Sequence, residues 1–165
     1  MQSANQVEIN KGDWLCLPFD KLSTTDVYDM LHLRSMIFVV EQACAYLDPD
    51  GLDQAAWHML YREHGALLAY QRCLPPGTAH RDSSCLGRVA VASSKRGVAL
   101  GRELVKNGIA FNFRTWPGQP IQIGAQTYLQ GFYASLGFEV CSDPYLEDGI
   151  GHVDMRLDEA PDATL

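Results

Sequence analysis

Apolar residues change their spacing along this chain, and each change marks an element. Asp13-Trp-Leu-Cys-Leu-Pro-Phe alternates and predicts a short first strand ended by Pro18. Val27, Met30, Leu31, Arg34 and Phe38 then recur at spacings of three and four. They predict a helix with Ser23 or Thr24 as N-cap and Asp26 in the first turn, ending near residues 39–42. Residues 43–56 are rich in Asp, Pro and Gly and predict a loop. Trp57-His-Met-Leu-Tyr-Arg and Ala66-Leu-Leu-Ala-Tyr-Gln-Arg-Cys-Leu flank Glu63-His64-Gly65, the pattern of a hairpin. A polar loop follows from Pro75 to Ser84.

The second half centres on a strand, a turn and a helix. Leu86, Val89 and Val91 are the apolar positions of the strand, with the small Ala90 on its other face. Ser93 and Ser94 break it. An amphipathic helix then runs through Leu104, Val105 and Ile109 to about Arg114. Gly108 inside that helix costs roughly 1 kcal/mol against Ala, which predicts close packing on a sheet there. Residues 121–125 predict a strand, 128–136 a short helix stopped by Gly137, and 138–141 another strand. Residues 144–151 form a turn-rich loop around Asp148-Gly149, and His152-Val-Asp-Met-Arg-Leu alternates as a last strand. Residues 1–12 and 158–165 are expected to be flexible tails. No repeat or low-complexity segment interrupts the pattern. The order predicts one domain over residues 1–165 of α/β (α+β) class, a mixed sheet of six to seven strands with helices on both faces.

Composition narrows the function. The 165 residues suffice for a core, and 13 basic against 20 acidic side chains leave a formal charge of −7. That balance speaks against a nucleic-acid-binding surface and suits a cationic substrate. No apolar run approaches the ~18 residues of a membrane span, and the first residues are polar. Neither a membrane segment nor a secretory signal is therefore expected, and the chain is expected in the cytoplasm. The five cysteines (16, 44, 73, 85 and 141) lack CxxC spacing and are expected to be reduced, mostly buried and not catalytic. The five histidines show neither HxxxH nor HxH spacing, so no metal is expected.

Chemistry concentrates after the central strand. Arg96-Gly97-Val98-Ala99-Leu100-Gly101 is a cationic, Gly-containing turn feeding a helix N-terminus. The first N–H groups of a helix have no partner within it, and the helix dipole favours negative charge there. Gly97 and Gly101 let a phosphate approach the backbone closely. The spacings of a Walker loop and of a Rossmann fingerprint are both absent.

The pattern that is present, Arg-x-x-Ala-x-Gly after a strand, resembles the acyl-CoA signature of the GNAT N-acetyltransferase superfamily. Ala99 stands where that superfamily most often has Gly. Gln126-Thr-Tyr-Leu-Gln-Gly-Phe-Tyr-Ala-Ser-Leu-Gly-Phe-Glu-Val resembles its second signature, Phe-Tyr-x-x-x-Gly-Phe. Leu33-Arg-Ser-Met-Ile-Phe-Val-Val-Glu-Gln, Tyr46-Leu-Asp-Pro-Asp-Gly-Leu-Asp and Glu147-Asp-Gly-Ile-Gly-His are similar to the ElaA-like subgroup of small bacterial acetyltransferases, with Gly151 in place of a frequent Pro.

The resemblance implies the three-layer acetyltransferase fold and direct transfer from acetyl-CoA to an amine of a small molecule or protein, by a monomer or homodimer. It implies that the N–H groups of Gly97, Val98, Ala99, Leu100 and Gly101 hold the pyrophosphate, that Arg96 belongs to the same cofactor site, and that the backbone of Val89, Ala90 and Val91 pairs with the pantetheine arm. An N–H on that strand would stabilise the oxyanion. The resemblance places Gln126 where that family commonly has an Asn, and implies that Tyr133 protonates the departing thiolate. The base is open, because Cys85 to Val91 contains no carboxylate. Glu41, Asp50, Asp53, His58 and His152 are candidates, Glu41 and His152 foremost, alongside a water relay. Two alternatives stay open: an acyl-CoA-binding regulatory member without turnover, and an acyltransferase using another acyl-CoA.

Overall fold

The structure, a computed structural model, describes residues 12–162. Of the tails expected at 1–12 and 158–165, residues 1–11 and 163–165 lie outside the described residues. Among the described residues eight strands form one sheet in the order β1-β2-β3-β4-β5-β8-β6, with β7 pairing on β8. They are β1 Asp13–Pro18, β2 Trp57–Glu63, β3 Ala66–Leu74, β4 Ser84–Val91, β5 Ile121–Gln126, β6 Glu139–Val140, β7 Tyr145–Glu147 and β8 Ile150–Leu157. Among the described residues all pairings are antiparallel except β4 with β5.

The expected count of six to seven strands falls short because residues 144–151 are not simply a loop. Asp148 (φ 50°) and Gly149 (φ 77°) make a tight turn that folds β7 back onto β8. All three residues of β7 are exposed, so no apolar alternation announced it.

Ser23 caps helix α1 (Thr24–Arg34) in a capping box with Asp26, both partners bonding at 3.0–3.1 Å. The helix continues as a π-helix over Ser35–Glu41. Met30, Leu33 and Ile37 pack on Leu60, Tyr70 and Ala90, covering one face of β2–β4. Helix α2 (Leu100–Thr115) and helix α3 (Gln130–Ala134) cover the other face, over Leu86, Ile121, Ile123, Ala125, Val153 and Met155. The helical stretch around α3 begins as a 3-10 turn at Thr127–Leu129 and stops before Gly137, whose φ is 97°. Gly108 does lie tight on the sheet: a Cβ there would overlap the Gln71 amide, which donates to the Leu104 carbonyl at 2.5 Å. Of the five cysteines only Cys73 and Cys85 are buried; Cys16 and Cys44 are half-buried and Cys141 is exposed, fewer covered thiols than expected.

Two irregularities of β4 set up the site. Arg72 pairs with Gly87 and Tyr70 with Ala90, so Arg88 and Val89 together oppose Gln71 in a bulge. Arg88 takes the left-handed φ of 53° there. The extra residue explains why Leu86, Val89 and Val91 share a face despite their spacing. On its other edge β4 pairs with β5 only at Ser84–Ile121 and Cys85–Gln122, and beyond Cys85 the strands part. Their unpaired edges leave backbone polar groups without ladder partners.

Candidate active site

The turn after β4 has the shape of an anion cradle. A 3-10 turn at Ser93–Lys95 leads to Gly97 (φ 82°) and Ala99 (φ 62°, ψ 7°), the residue that precedes α2. No side chain caps this helix, so the N–H groups of Leu100, Gly101 and Arg102 are not consumed within it. Residues 96–99 are exposed, and among the described residues nothing lies within 4 Å of a Cβ built at Gly97. Ala99 adopts the left-handed conformation that Gly takes without strain, which for Ala costs about 1–2 kcal/mol.

Arg96 does not simply point into this cradle. Its Nε donates to the Val91 carbonyl at 3.1 Å, and its Nη2 meets Glu41 Oε2 at 2.7 Å. Val91 therefore already has a partner for its carbonyl, while Val89 and Ala90 lie on the parted stretch of β4. The next residue along the π-helix end, Gln42, accepts from Gln126 Nε2 at 3.2 Å. Glu41 and Gln42 thus reach the two lips of the opening, one on the β4 side and one on the β5 side. Gln126 pairs across strands with His152. His152 donates from Nδ1 to the Ile150 carbonyl at 2.8 Å, and its Nε2 lies 3.6 Å from Glu147. Arg96, Glu41, Gln126 and His152 are far apart in sequence, yet form one rim.

Tyr133 lies beneath the opening, on the α2/α3 face. It is 8% exposed and sits edge-on to Phe132 and Phe138. Among the described residues its hydroxyl has no hydrogen-bond partner. Burial pushes the phenol up to about 12, with the nearby Tyr128 and Cys85 groups adding to the shift. It keeps its proton at neutral pH.

Three of the base candidates belong elsewhere. Asp53 bonds Arg34 at 2.8 Å and Arg72 at 2.9 Å. Asp50 grips Arg72 with both oxygens, at 2.8 and 2.5 Å. Burial alone would raise the Asp53 carboxyl, but the Arg34 and Arg72 guanidinium groups outweigh it and hold it below the ordinary range. His58 is fully buried, with Nδ1 on the Tyr70 hydroxyl and Nε2 on the Asp53 carbonyl, and desolvation lowers its pKa. All three are committed to this network of buried pairs. Sequence reasoning missed the rest of this network: Arg34, Asp48, Arg72 and Arg88. Asp48 takes Arg34 Nε at 2.7 Å and Arg88 Nε at 2.8 Å, tying the bulge residue of β4 to the loop before β2. The available signal was Arg34 on an apolar helix stripe, a position that only a paired Arg occupies. Among the described residues no group of three His, Cys, Asp or Glu side chains could hold a metal ion.

Known proteins share this fold. Residues 50–159 match the family model described as an acetyltransferase (GNAT) domain. The chain is 37% identical to the protein ElaA of Escherichia coli over 145 residues, 87% of this chain and 94% of ElaA. The crystal structure of that ElaA superposes with a TM-score of 0.83, covering 88% of this chain and 99% of the other. An acyl-CoA N-acyltransferase from Pseudomonas aeruginosa superposes with a TM-score of 0.85 at 38% identity, again over 88% and 99% of the two chains.

Proposed function

The chain belongs to the GNAT acetyltransferase family, and from that premise we propose that it transfers the acetyl group of acetyl-CoA directly to an amine of a small molecule or protein in a ternary complex. One observation carries the reading: β4 and β5 part after Cys85, directly beside an exposed turn with left-handed Gly97 and Ala99 at a helix N-terminus. An anion cradle next to an unpaired strand edge suits a donor with a pyrophosphate and an amide-bearing arm.

In this reading the N–H groups of Gly97 to Arg102 bind the pyrophosphate. The parted edge of β4 at Val89 and Ala90 pairs with the pantetheine amides, and an N–H on it stabilises the oxyanion. Arg96 adds charge at the mouth, and Glu41 acts through Arg96, orienting its guanidinium. Tyr133, protonated and without another partner, donates to the departing sulfur from below.

The test is calorimetric titration with acetyl-CoA, followed by free-thiol release with a panel of amines. Wild type should bind with micromolar affinity. Gly97→Pro cannot adopt the observed φ of 82° and loses an N–H, so binding should be abolished. Unchanged affinity in a folded Gly97→Pro variant overturns the assignment of the loop.

A further inference from the structure

The sheet face that α1 leaves uncovered carries a feature no strand pattern announced. β5 and β8 pair with Gly124 opposite Asp154. Ile123, Ala125, Val153 and Met155 point into the core under α2 and α3, so Gly124 and Asp154 point the other way. Gly124 is exposed in mid-strand and lies two residues beyond Gln122, the last residue of β5 paired with β4. It floors the place where the strands part.

Tyr145 stands over it. A Cβ at position 124 would lie 3.1 Å from the Tyr145 hydroxyl and 3.8 Å from Asp154 Oδ1. The hydroxyl donates to Asp154 Oδ1 at 2.6 Å, and the Asp154 N–H donates to Ser142 Oγ at 2.8 Å. The Tyr145 ring stacks on His152 at 5.9 Å and 19°. Oδ2 receives only a long contact, 3.5 Å from Gln122 Nε2. The carboxylate is thus fixed on one oxygen and available on the other. Below the sheet, the hydroxyl of the mostly buried Tyr133 has no hydrogen-bond partner among the described residues. The opening between β4 and β5 therefore has a protonated phenol on one side and a free carboxylate oxygen on the other.

We propose that Asp154, oriented by Tyr145, binds the acceptor as an alkylammonium through Oδ2 and takes its proton, with Gly124 leaving room for the amine to reach the opening. This rests on the acetyl-transfer reading above. The ammonium hands one proton to Asp154 as its nitrogen bonds to the thioester carbonyl carbon. The carbon–sulfur bond breaks, and the sulfur leaves with the electron pair and takes the Tyr133 proton. The nitrogen's second proton returns to the Tyr133 oxygen through solvent, and Asp154 releases its own. The sum is an amide, a free thiol and one released proton. Tyr145 is a positioning residue and Asp154 a catalytic one.

Asp154→Asn keeps the shape and removes the charge. With spermidine and phenethylamine as acceptors, kcat/KM should fall about 100-fold or more, as for loss of a general base, while acetyl-CoA affinity by calorimetry stays within about twofold. With 4-aminophenol, whose amine is uncharged at neutral pH, the loss should be clearly smaller. Tyr145→Phe leaves the carboxylate in place and should raise KM for the alkylamines with a lesser effect on kcat. Full alkylamine activity in a folded Asp154→Asn protein that binds acetyl-CoA overturns this proposal and leaves acetyl transfer standing. A wild type that binds acetyl-CoA but acetylates neither alkylamine overturns it as well. A wild type that does not bind acetyl-CoA overturns the donor reading and this proposal together. Should Asp154→Asn fail to fold, Gly124→Val fills the same space from the exposed side. It should lose alkylamine turnover with acetyl-CoA binding intact, and undiminished turnover overturns the proposal.

Discussion

Two polar regions meet at Arg88, and they treat their hydrogen-bonding groups in opposite ways. Toward the loop of residues 46–53, Arg34, Asp48, Asp53 and Arg72 are each less than 7% exposed, and every one is tied to an opposite charge. Toward β5, the backbone edge of β4 is unpaired, the Tyr133 hydroxyl has no partner, Asp154 keeps one oxygen nearly free, and Ala99 is held in a left-handed conformation. Burying a charge is tolerated only with full pairing, so the first region can do little but hold its shape. Groups left short of partners retain free energy to offer a substrate, and for that reason the proposed chemistry is assigned to the second region. One atom blurs the contrast, since Arg72 Nε is buried without a partner.

The comparison breaks most readily at Asp53. Asp53→Ala strands the buried Arg34 Nη1 and leaves Arg72 Nη1 with Asp50 alone, and loss of one partner of a buried pair costs about 3–5 kcal/mol. Denaturant unfolding should register that loss. A neutral result would mean that the network is not the scaffold described here. The same pairing makes the fold sensitive to acid. The folded Asp53 carboxyl titrates below its unfolded value, so its contribution is present above about pH 4 and is lost as pH falls through the folded pKa. The melting temperature of the wild type should decline on acidification below about pH 5, and Asp53→Asn should flatten that decline.

Tyr133→Phe probes the other region. It removes only a hydroxyl that makes no protein hydrogen bond, so stability and acetyl-CoA affinity should hardly change. Turnover should fall by about 10²-fold or more, as for loss of a general acid. Unchanged kcat while chemistry limits turnover excludes Tyr133 as the acid. A joint fall in stability and affinity would instead make the hydroxyl part of the scaffold.

The smallest effect is expected at Ala99. Ala99→Gly removes the left-handed penalty but adds chain entropy to the unfolded state, so the net gain should be at most about 1 kcal/mol. A thermal melt would register it. Destabilisation by the glycine would mean that the left-handed conformation is not strained in this chain.

Much of the fold was legible in the sequence. Helix and strand positions followed from apolar spacing because each element buries one face, and burial imposes the period of the element on its sequence. Ser23 with Asp26, Gly97 and Gly137 were readable because caps and left-handed turns demand particular residue types. The turn at 96–101 and the segment carrying Tyr133, on which the proposed function rests, were local motifs and so lay within short stretches. Strand β7 left no trace, since an exposed strand of three residues has no buried face to pattern it.

What the sequence by itself determined, then, is the set of elements and the chemistry carried within single segments. Only the tertiary structure decided which polar groups meet. Asp50, Asp53 and His58 became scaffold because the loop before β2 folds onto Arg34 and Arg72, and Glu41 became a partner of Arg96. Asp154 rose from an ordinary strand residue to a candidate for the acceptor site because Gly124 and Tyr145 come together over the parted strands. A carboxylate's role depends on which cation, hydroxyl or opening lies within about 3 Å of it. That distance is set by contacts between residues far apart in the chain, which no local spacing records.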